Sequence, residues 1–173
     1  MKRTRKYIGI VVVILVLIVA ALYQNGHIGI SKGRIERDAR SSPRIAEDWQ
    51  ASVDAGKEVA AVILYSPDLS DYSYSIYVNR PGFSFGYIFR LGGSGVEIDE
   101  GVQEIQIEGF NERAFVSMNK QQISLIEIDD GSTIQKIEID SEKPFALVLP
   151  TNAESITMYD INGNPVEYIS RHI

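Results

Sequence analysis

The sequence predicts a mainly β protein: one N-terminal transmembrane helix, a linker, one short helix, and then an antiparallel β-sandwich or a partly closed barrel. Beyond Glu58, apolar and polar residues alternate with period two, and turn residues recur about every 8–12 residues, as in other all-β domains. Only residues 43–55 carry apolar residues at helical spacing, so the helices that a parallel α/β fold needs between its strands are missing. Residues 8–23 are uncharged and almost wholly apolar, which indicates a membrane span.

The N-terminal apolar segment is predicted to be an uncleaved membrane anchor formed by residues 7–23. It would make a helix of about 25 Å, near the lower limit for spanning a bilayer. Tyr7 and Tyr23 bracket it, and four basic residues precede it: Lys2, Arg3, Arg5 and Lys6. This basic start favours a cytoplasmic tail of residues 1–6 and an external C-terminal domain. A cleaved signal peptide is the alternative, with Val19, Ala20 and Ala21 as the cleavage site.

Residues 24–42 are predicted to form a linker, because glycines and alternating charges replace the apolar pattern. The domain is then expected to cover residues 43–173 and to open with a helix. Ser42 suits the N-cap of that helix and Pro43 its first position. One apolar stripe would follow at four-residue spacing, formed by Ile45, Trp49 and Val53.

The strand predictions follow the alternation. The predicted strands cover residues 59–65, 72–79, 83–90, 96–98, 102–110, 113–119, 123–128, 133–139, 145–149, 156–160 and 166–169. The first is apolar throughout, which is typical of a strand buried on both faces. In the last hairpin, a three-residue loop at 161–163 would place Met158 opposite Val166. Its Tyr-Asp-x-Asn-Gly sequence, residues 159–163, resembles hairpins of immunoglobulin-like modules, and this resemblance implies an immunoglobulin-like sandwich.

Seven aromatic residues lie close together between residues 72 and 89: Tyr72, Tyr74, Tyr77, Phe83, Phe85, Tyr87 and Phe89. A loop of two or four residues around Pro81 would place six of them on one apolar face, in the core, and leave Tyr77 on the reverse face. That reverse face is the predicted partner-binding surface, and its candidate contact residues are Tyr77, Asn79, Arg80 and Arg90. The alternative is a glycan-binding platform formed by the large aromatic cluster itself.

Charge is divided between the two parts of the chain. Residues 1–44 hold nine Lys or Arg and two Asp or Glu, a net charge of +7, whereas residues 45–173 hold eight and twenty-one, a net charge of −13. An acidic domain disfavours nucleic acid as a partner. The chain has no cysteine and no Asn-x-Ser/Thr sequence, a combination that favours a bacterial envelope protein over a eukaryotic ectodomain.

No catalytic, cofactor or metal site is predicted. The two histidines, His27 and His172, lie outside the predicted strands, and cysteine is missing, so Ser–His–Asp catalysis, Cys–His catalysis and zinc or haem sites are not expected. Residues 160–164 match the start of a calcium loop, but Pro165 and Arg171 occupy its required Gly and Glu positions. We interpret this segment and the two acidic pairs, Asp99 with Glu100 and Asp129 with Asp130, as turns.

These observations together predict a non-enzymatic binding or accessory protein of the bacterial cell envelope. Residues 7–23 would hold it in the cell membrane as a single-pass protein, and the acidic β-domain outside would bind a protein or a cell-wall component. Two alternatives remain open: a small hydrolase that acts on cell-wall material through carboxylates, and an accessory subunit of a membrane complex.

Overall fold

The first helix, α1, extends over Lys2–Gln24 of the computed structural model, which describes residues 2–24, 28–80, 82 and 85–173. The apolar side chains of α1 from Ile8 to Val19 are largely exposed. Among the residues described, no helix is at once long and apolar enough to cross a membrane.

The described residues beyond α1 form a β-domain with short helical segments. A 3₁₀ turn at Lys32–Arg34 leads into α2, Ile35–Ala39, and α3 covers Val96–Glu100. The strands of this part of the chain are β1 Gln50–Ala55, β2 Val59–Tyr65, β3 Tyr72–Val78, β4 Ile88–Gly93, β5 Gln103–Gln106, β6 Glu112–Ser117, β7 Ile123–Asp129, β8 Ile134–Glu138, β9 Phe145–Pro150, β10 Ser155–Asp160, β11 Pro165–Val166 and β12 Ile169–His172.

These strands form three four-stranded sheets. Sheet 1 has the order β1-β2-β3-β4, sheet 2 the order β12-β5-β6-β9, and sheet 3 the order β11-β10-β7-β8. The pairs are antiparallel except β12 with β5, which is parallel. Sheets 1 and 2 meet where β1 lies beside β9: the backbone N–H of Ala146 donates to Oγ of Ser52 at 3.1 Å, and that of Val148 donates to Oδ2 of Asp54 at 2.8 Å. The predicted mainly antiparallel, sandwich-like fold is confirmed.

Sheet 2 is the middle layer: its strands β6 and β9 are covered on both faces, whereas β12 is exposed. Along β6, Ala114 and Val116 face core 1, the cluster between sheets 1 and 2, whereas Phe115 faces core 2, the cluster between sheets 2 and 3. This alternation follows from the two-residue period of a strand. One charged pair lies in this layer: Arg113 Nη1 is 2.7 Å from Oε1 of Glu104, whose other oxygen accepts a hydrogen bond from Ser170. That bond ties the C-terminal strand β12 to β5.

Sheet 1 is also covered on its outer face, by residues that the sequence assigns to the linker. Core 3 consists of Ile35, Ala39, Ala55, Ala60, Val62, Leu64, Tyr77 and Tyr87, with Ile30, Ile45, Trp49 and Ala51 packed against it. Ile35 of α2 is fully buried. All seven residues of β2 are therefore buried, as its unbroken apolar sequence predicts. Residues 28–40 pack on the β-domain and do not form a flexible spacer.

The predicted helix at residues 43–55 is wrong. Residues 43–49 form turns, and Gln50–Ala55 is strand β1. The spacing of Ile45, Trp49 and Val53 suits a helix, but strand pairing prevails over it: β1 pairs along its whole length with β2 and satisfies the backbone groups of that buried strand. Ile45 and Trp49 still cover core 3, whereas Val53 is 40% exposed.

Two further differences concern short elements. Residues 96–98, predicted as a strand, belong to α3, where Ile98 is fully buried in core 1. The predicted last strand is divided into β11 and β12. The hairpin before it agrees with the prediction, because Met158 pairs with Val166 and Gly163 has a φ of +79° in the three-residue loop. Tyr168 then leaves the hairpin and packs edge-to-face on Phe115, with ring centroids 5.3 Å apart.

Candidate functional site

The register between β3 and β4 differs from the predicted one and determines which aromatic residues are exposed. Ile76 pairs with Leu91, but Tyr77 pairs with Phe89, so Arg90 is an extra residue at a β-bulge. Because one inserted residue reverses the alternation of faces in β4, Phe89 lies on the same face as Tyr77 and is 55% exposed, and Phe85 is 67% exposed. Tyr77 itself is 1% exposed because Ile35 and Ala39 of α2 cover its face. The prediction that Phe85 and Phe89 lie in the core is wrong. Tyr77 lies on the predicted reverse face of β3, but that face is covered and Tyr77 is not exposed.

The remaining aromatic residues of this region lie on both faces of sheet 1. Tyr72 and Tyr74 lie in core 1 with Ile76, as the sequence predicts. Tyr87 is buried too, but in core 3, on the opposite face. Phe83 lies outside the described residues.

A groove opens on the outer face of sheet 1, between residues 38–49 and strands β3 and β4. Its volume is about 510 Å³. The lining consists of Asp38, Ala39, Ser41, Ser42, Arg44, Ile45, Trp49, Asp71, Tyr72, Ser73, Tyr74, Ser75, Tyr77, Phe89, Gly92, Gly93 and Ser94. The chain therefore forms a concave surface from the segment predicted as linker and helix and from the aromatic-rich hairpin.

The floor of the groove follows from the alternation in β3. Because Tyr72 and Tyr74 point into core 1, Ser73 and Ser75 point to the opposite face. Across the ladder, Ser75 pairs with Gly92. A Cβ atom on Gly92 would lie 2.5 Å from the carbonyl oxygen of Tyr74 and 3.2 Å from the Phe89 ring, so only glycine fits there. The floor is thus hydroxyl-rich and free of large side chains.

The walls of the groove are aromatic and charged. Trp49 and Phe89 supply rings, and Phe89 packs edge-to-face on Tyr77 with ring centroids 5.8 Å apart. The Tyr77 hydroxyl donates to Oδ2 of Asp38 at 2.9 Å. Burial of the ring, with this bond to Asp38, raises the pKa of Tyr77, so its hydroxyl keeps its proton and remains a donor. Rings, hydroxyls and carboxylates therefore meet in one cleft.

The Trp49 wall is held in place by Arg40. Its Nη1 donates to the Trp49 carbonyl oxygen at 2.8 Å, and its Nε donates to Oε1 of Glu36 at 2.8 Å. A single guanidinium thus connects α2 to the turn that carries Trp49. This arrangement fixes the shape of the wall opposite β3 and β4, as expected for a preformed binding cleft.

The structure places the four predicted contact residues in different surroundings. Tyr77 is buried and lies at the groove. Asn79 is half-buried, and its Nδ2 donates to the Lys57 carbonyl oxygen at 3.2 Å. The Arg80 guanidinium lies 5.5 Å from the centre of the Phe110 ring. Arg90 is exposed at the bulge. A partner contact by Asn79, Arg80 or Arg90 stays a prediction.

The predicted turns at Asp129–Asp130 and Asp160 are occupied by their own backbone, whereas Asp99 and Glu100 lie in α3 and do not form the predicted turn. Oδ1 of Asp160 accepts hydrogen bonds from the N–H groups of Asn162 and Asn164, both at 2.8 Å, and the bonds from Asn164 and Asn162 lower the pKa of Asp160. In the part of the chain that is described, no three His, Cys, Asp or Glu side chains converge as a metal site would require. His172 is exposed in β12, and His27 lies outside the described residues.

Sequence reasoning missed most of the groove. The alternation of tyrosine and serine in β3 predicts that Ser73 and Ser75 face away from core 1, but nothing in it predicts that residues 38–49 approach them. Comparison with other proteins adds no further residue, because no family model, no characterised protein and no solved structure matches this chain.

Proposed function

We propose that the chain is a non-enzymatic binding protein of the bacterial cell envelope, anchored by residues 7–23, and that its groove binds a cell-wall glycan. The observation that carries this proposal is the groove itself, at about 510 Å³. This volume falls within the range of roughly 300–1,000 Å³ that small-ligand sites occupy. It suits a few sugar units of a longer polymer.

The lining of the groove supports a glycan in particular. A sugar ring has an apolar face, which packs on aromatic rings, and hydroxyl groups around its edge, which need hydrogen-bond partners. Trp49 and Phe89 offer the rings. Ser73, Ser75 and the carboxylates of Asp38 and Asp71 offer hydrogen-bonding groups. The acidic charge of the domain does not oppose a neutral glycan as it would oppose nucleic acid.

The anchor is supported by the sequence and by the conformation of α1. Ile8 to Val19 form an apolar helix whose side chains are about half exposed or more, and so much apolar surface is unfavourable in water. The structure describes the side chains of residues 7–22 in this helix. These residues are fewer than the roughly 20 that an average transmembrane helix needs. The proposal therefore rests on the whole segment, from the preceding basic residues to Tyr23. Mass spectrometry of the membrane fraction tests it: an intact N-terminus supports the anchor, and a terminus at Leu22 would show a cleaved signal peptide.

Ligand binding is tested with the full chain in lipid nanodiscs and soluble wall-glycan fragments. Ser73→Tyr places a large ring on the groove floor in a strand, where tyrosine is well tolerated. Because the new ring displaces the sugar, we expect the affinity to fall by at least about tenfold. This loss corresponds to about 1.4 kcal/mol of binding free energy. Thr157→Tyr, at a half-buried position of β10 in sheet 3, is the matched control and should bind as the wild type does.

The outcomes separate this proposal from its alternatives. If the wild type does not bind the fragments, or if Ser73→Tyr binds as well as the control, the glycan proposal is wrong. Release of new reducing ends that disappears in Asp38→Asn would favour the carboxylate-based hydrolase. Recovery of one defined membrane protein with the chain in mild detergent, without glycan binding, would favour the accessory subunit.

A further inference from the structure

Two exposed apolar side chains lie near the exit of α1, and we call them the apolar patch: Ile28 and Phe85. They are 39% and 67% exposed. The backbones of Ile28 and Phe85 are neighbours in a β-bridge, and Gly29 N–H donates to the Phe85 carbonyl oxygen at 2.9 Å. Exposed phenylalanine side chains are unfavourable in water, and such a surface usually marks a contact with a membrane or another protein.

The position of the patch along the chain limits how far it can lie from α1. Helix α1 ends at Gln24, and Ile28 follows four residues later. Four residues span at most about 14 Å even when fully extended. The headgroup layer on each side of a bilayer is roughly 5–8 Å thick. If residues 7–23 span the membrane, Ile28 and its neighbour Phe85 therefore lie in or just outside the headgroup layer.

Charge distinguishes this surface from the rest of the β-domain. Residues 45–173 carry a net charge of −13, whereas residues 28–44 hold five basic and two acidic residues. Lys32 donates to the Ala55 carbonyl oxygen, and Arg40 is engaged with Glu36 and Trp49. Arg34, Arg37 and Arg44 are exposed on the segment that covers the outer face of sheet 1. Positive charge is thus concentrated beside the tether, where it would be attracted to anionic lipid headgroups.

We propose that the apolar patch docks on the outer surface of the bilayer that holds α1. Phe85 enters the interface, where aromatic rings are favoured, and Arg34 and Arg37 contact lipid phosphates. This inference rests on the proposed anchor and adds to it. The β-domain would lie against the membrane with a fixed side facing the lipid, because docking at the patch prevents the domain from rotating about the segment that follows α1.

Site-specific fluorescence tests this directly, because the chain has no cysteine of its own. Single variants Val12→Cys, Arg90→Cys and Ile134→Cys are labelled with NBD in the full chain. The labelled chain is reconstituted in vesicles of phosphatidylcholine and phosphatidylglycerol that contain doxyl-labelled lipid. Val12 reports on α1, Arg90 on the exposed bulge of the strand that follows Phe85, and Ile134, 61% exposed in sheet 3, is the control.

We expect strong quenching at position 12 and quenching at position 90 at least about twice that at position 134, as for a residue held at the interface. Replacing both Ile28 and Phe85 by Ser should reduce quenching at 90 to the control level and leave position 12 unchanged. Quenching at 12 with only control-level quenching at 90 would overturn the docking and leave the anchor intact. No quenching at 12 would overturn the anchor, and the docking with it. Protection of the label at 90 from iodide without lipid quenching would mean that protein covers the patch, which also contradicts the proposal.

Discussion

The Tyr77 hydroxyl donates a 2.9 Å hydrogen bond to the carboxylate of Asp38, a residue 39 positions earlier in the chain. This bond joins the centre of sheet 1 to the end of α2. Tyr77 faces core 3 because it follows Ile76, which faces core 1, along β3, and the bulge at Arg90 sets Phe89 beside it on the same face. The same bulge leaves Phe89 at the surface of the groove. The alternation in β3 thus determines the contact of Tyr77 with α2, and one extra residue in β4 determines the exposed ring of the candidate site.

Substitution of Tyr77 tests this register. Tyr77→Ala should lower the free energy of unfolding by about 3–5 kcal/mol because it leaves a cavity in core 3. Tyr77→Phe should cost about 1 kcal/mol through the lost hydrogen bond to the exposed carboxylate. Phe85→Ala, at a 67% exposed position, should change stability by less than about 0.5 kcal/mol. Urea unfolding of the full chain in mild detergent measures all three. A larger loss for Phe85→Ala than for Tyr77→Ala would mean that β4 pairs without the bulge.

Ile35 provides a separate test of whether residues 28–40 belong to the folded domain. It is fully buried on the outer face of sheet 1, so Ile35→Ala should cost about 2–5 kcal/mol. Ile134→Ala, at a 61% exposed position, is the matched control and should stay within about 0.5 kcal/mol of the wild type. A chain that begins at residue 43 should be less stable than one that begins at residue 28, since it uncovers Val62 and Leu64. Equal melting temperatures of these two chains would show that the segment does not contribute to the fold.

The parts of the fold that the sequence predicts are those with a strong local pattern. The unbroken apolar run of β2 and the alternation in β3 indicate which residues are buried, because each side chain of a strand can point to only one of two faces. The hairpin that pairs Met158 with Val166 is predictable for the same reason: only one loop length keeps its apolar residues together.

The parts that the sequence does not predict depend on contacts between distant segments. The bulge at Arg90 has no local signal, since a single inserted residue is compatible with either register. Residues 28–40 are rich in charge, which is typical of a solvated linker. The one sign of packing is Ile35 with Ala39, four residues apart on α2. The groove depends on both local pattern and distant contacts. Its floor follows from the alternation in β3 and is predictable, whereas its far wall, with Asp38 and Trp49, depends on the approach of a distant segment and is not.

Asp68 should give part of the stability of the domain a dependence on pH. Hydrogen bonds from Ser66 and Ser70 lower the pKa of Asp68 from 3.8 to about 2. Because the folded pKa is below the unfolded one, the stabilisation is present above about pH 4 and is lost as the pH falls toward about 2. Thermal melting at pH 5 and pH 2.5 should therefore differ less in Asp68→Asn than in the wild type. Ser70→Ala removes one donor and should have a smaller effect of the same sign. An unchanged difference in Asp68→Asn would contradict this role.

Glu112 links the β1–β2 hairpin to sheet 2. Its Oε1 accepts a hydrogen bond from Lys57 N–H, and its Oε2 accepts from the N–H groups of Glu58 and Val59, each at 2.8 Å. Glutamine can keep only one of these oxygen positions as an acceptor, and its amide would then face N–H donors. We expect Glu112→Gln to cost about 1.5–3 kcal/mol, the usual contribution of a hydrogen bond to a charged group. Glu108→Gln, at an exposed position nearby, is the control.

Gly56 allows a second measurement of the same link. A Cβ atom on Gly56 would overlap the Glu112 carboxylate, so Gly56→Ala should push that carboxylate away from the three N–H groups. The substitution should therefore destabilise the wild type more than it destabilises Glu112→Ala, in which the carboxylate is already missing. A double-mutant cycle in urea should give a coupling energy of at least about 0.5 kcal/mol between the two positions. Additive losses would mean that Gly56→Ala acts on the hairpin backbone alone, and that close contact with Glu112 is not the reason for glycine at this position.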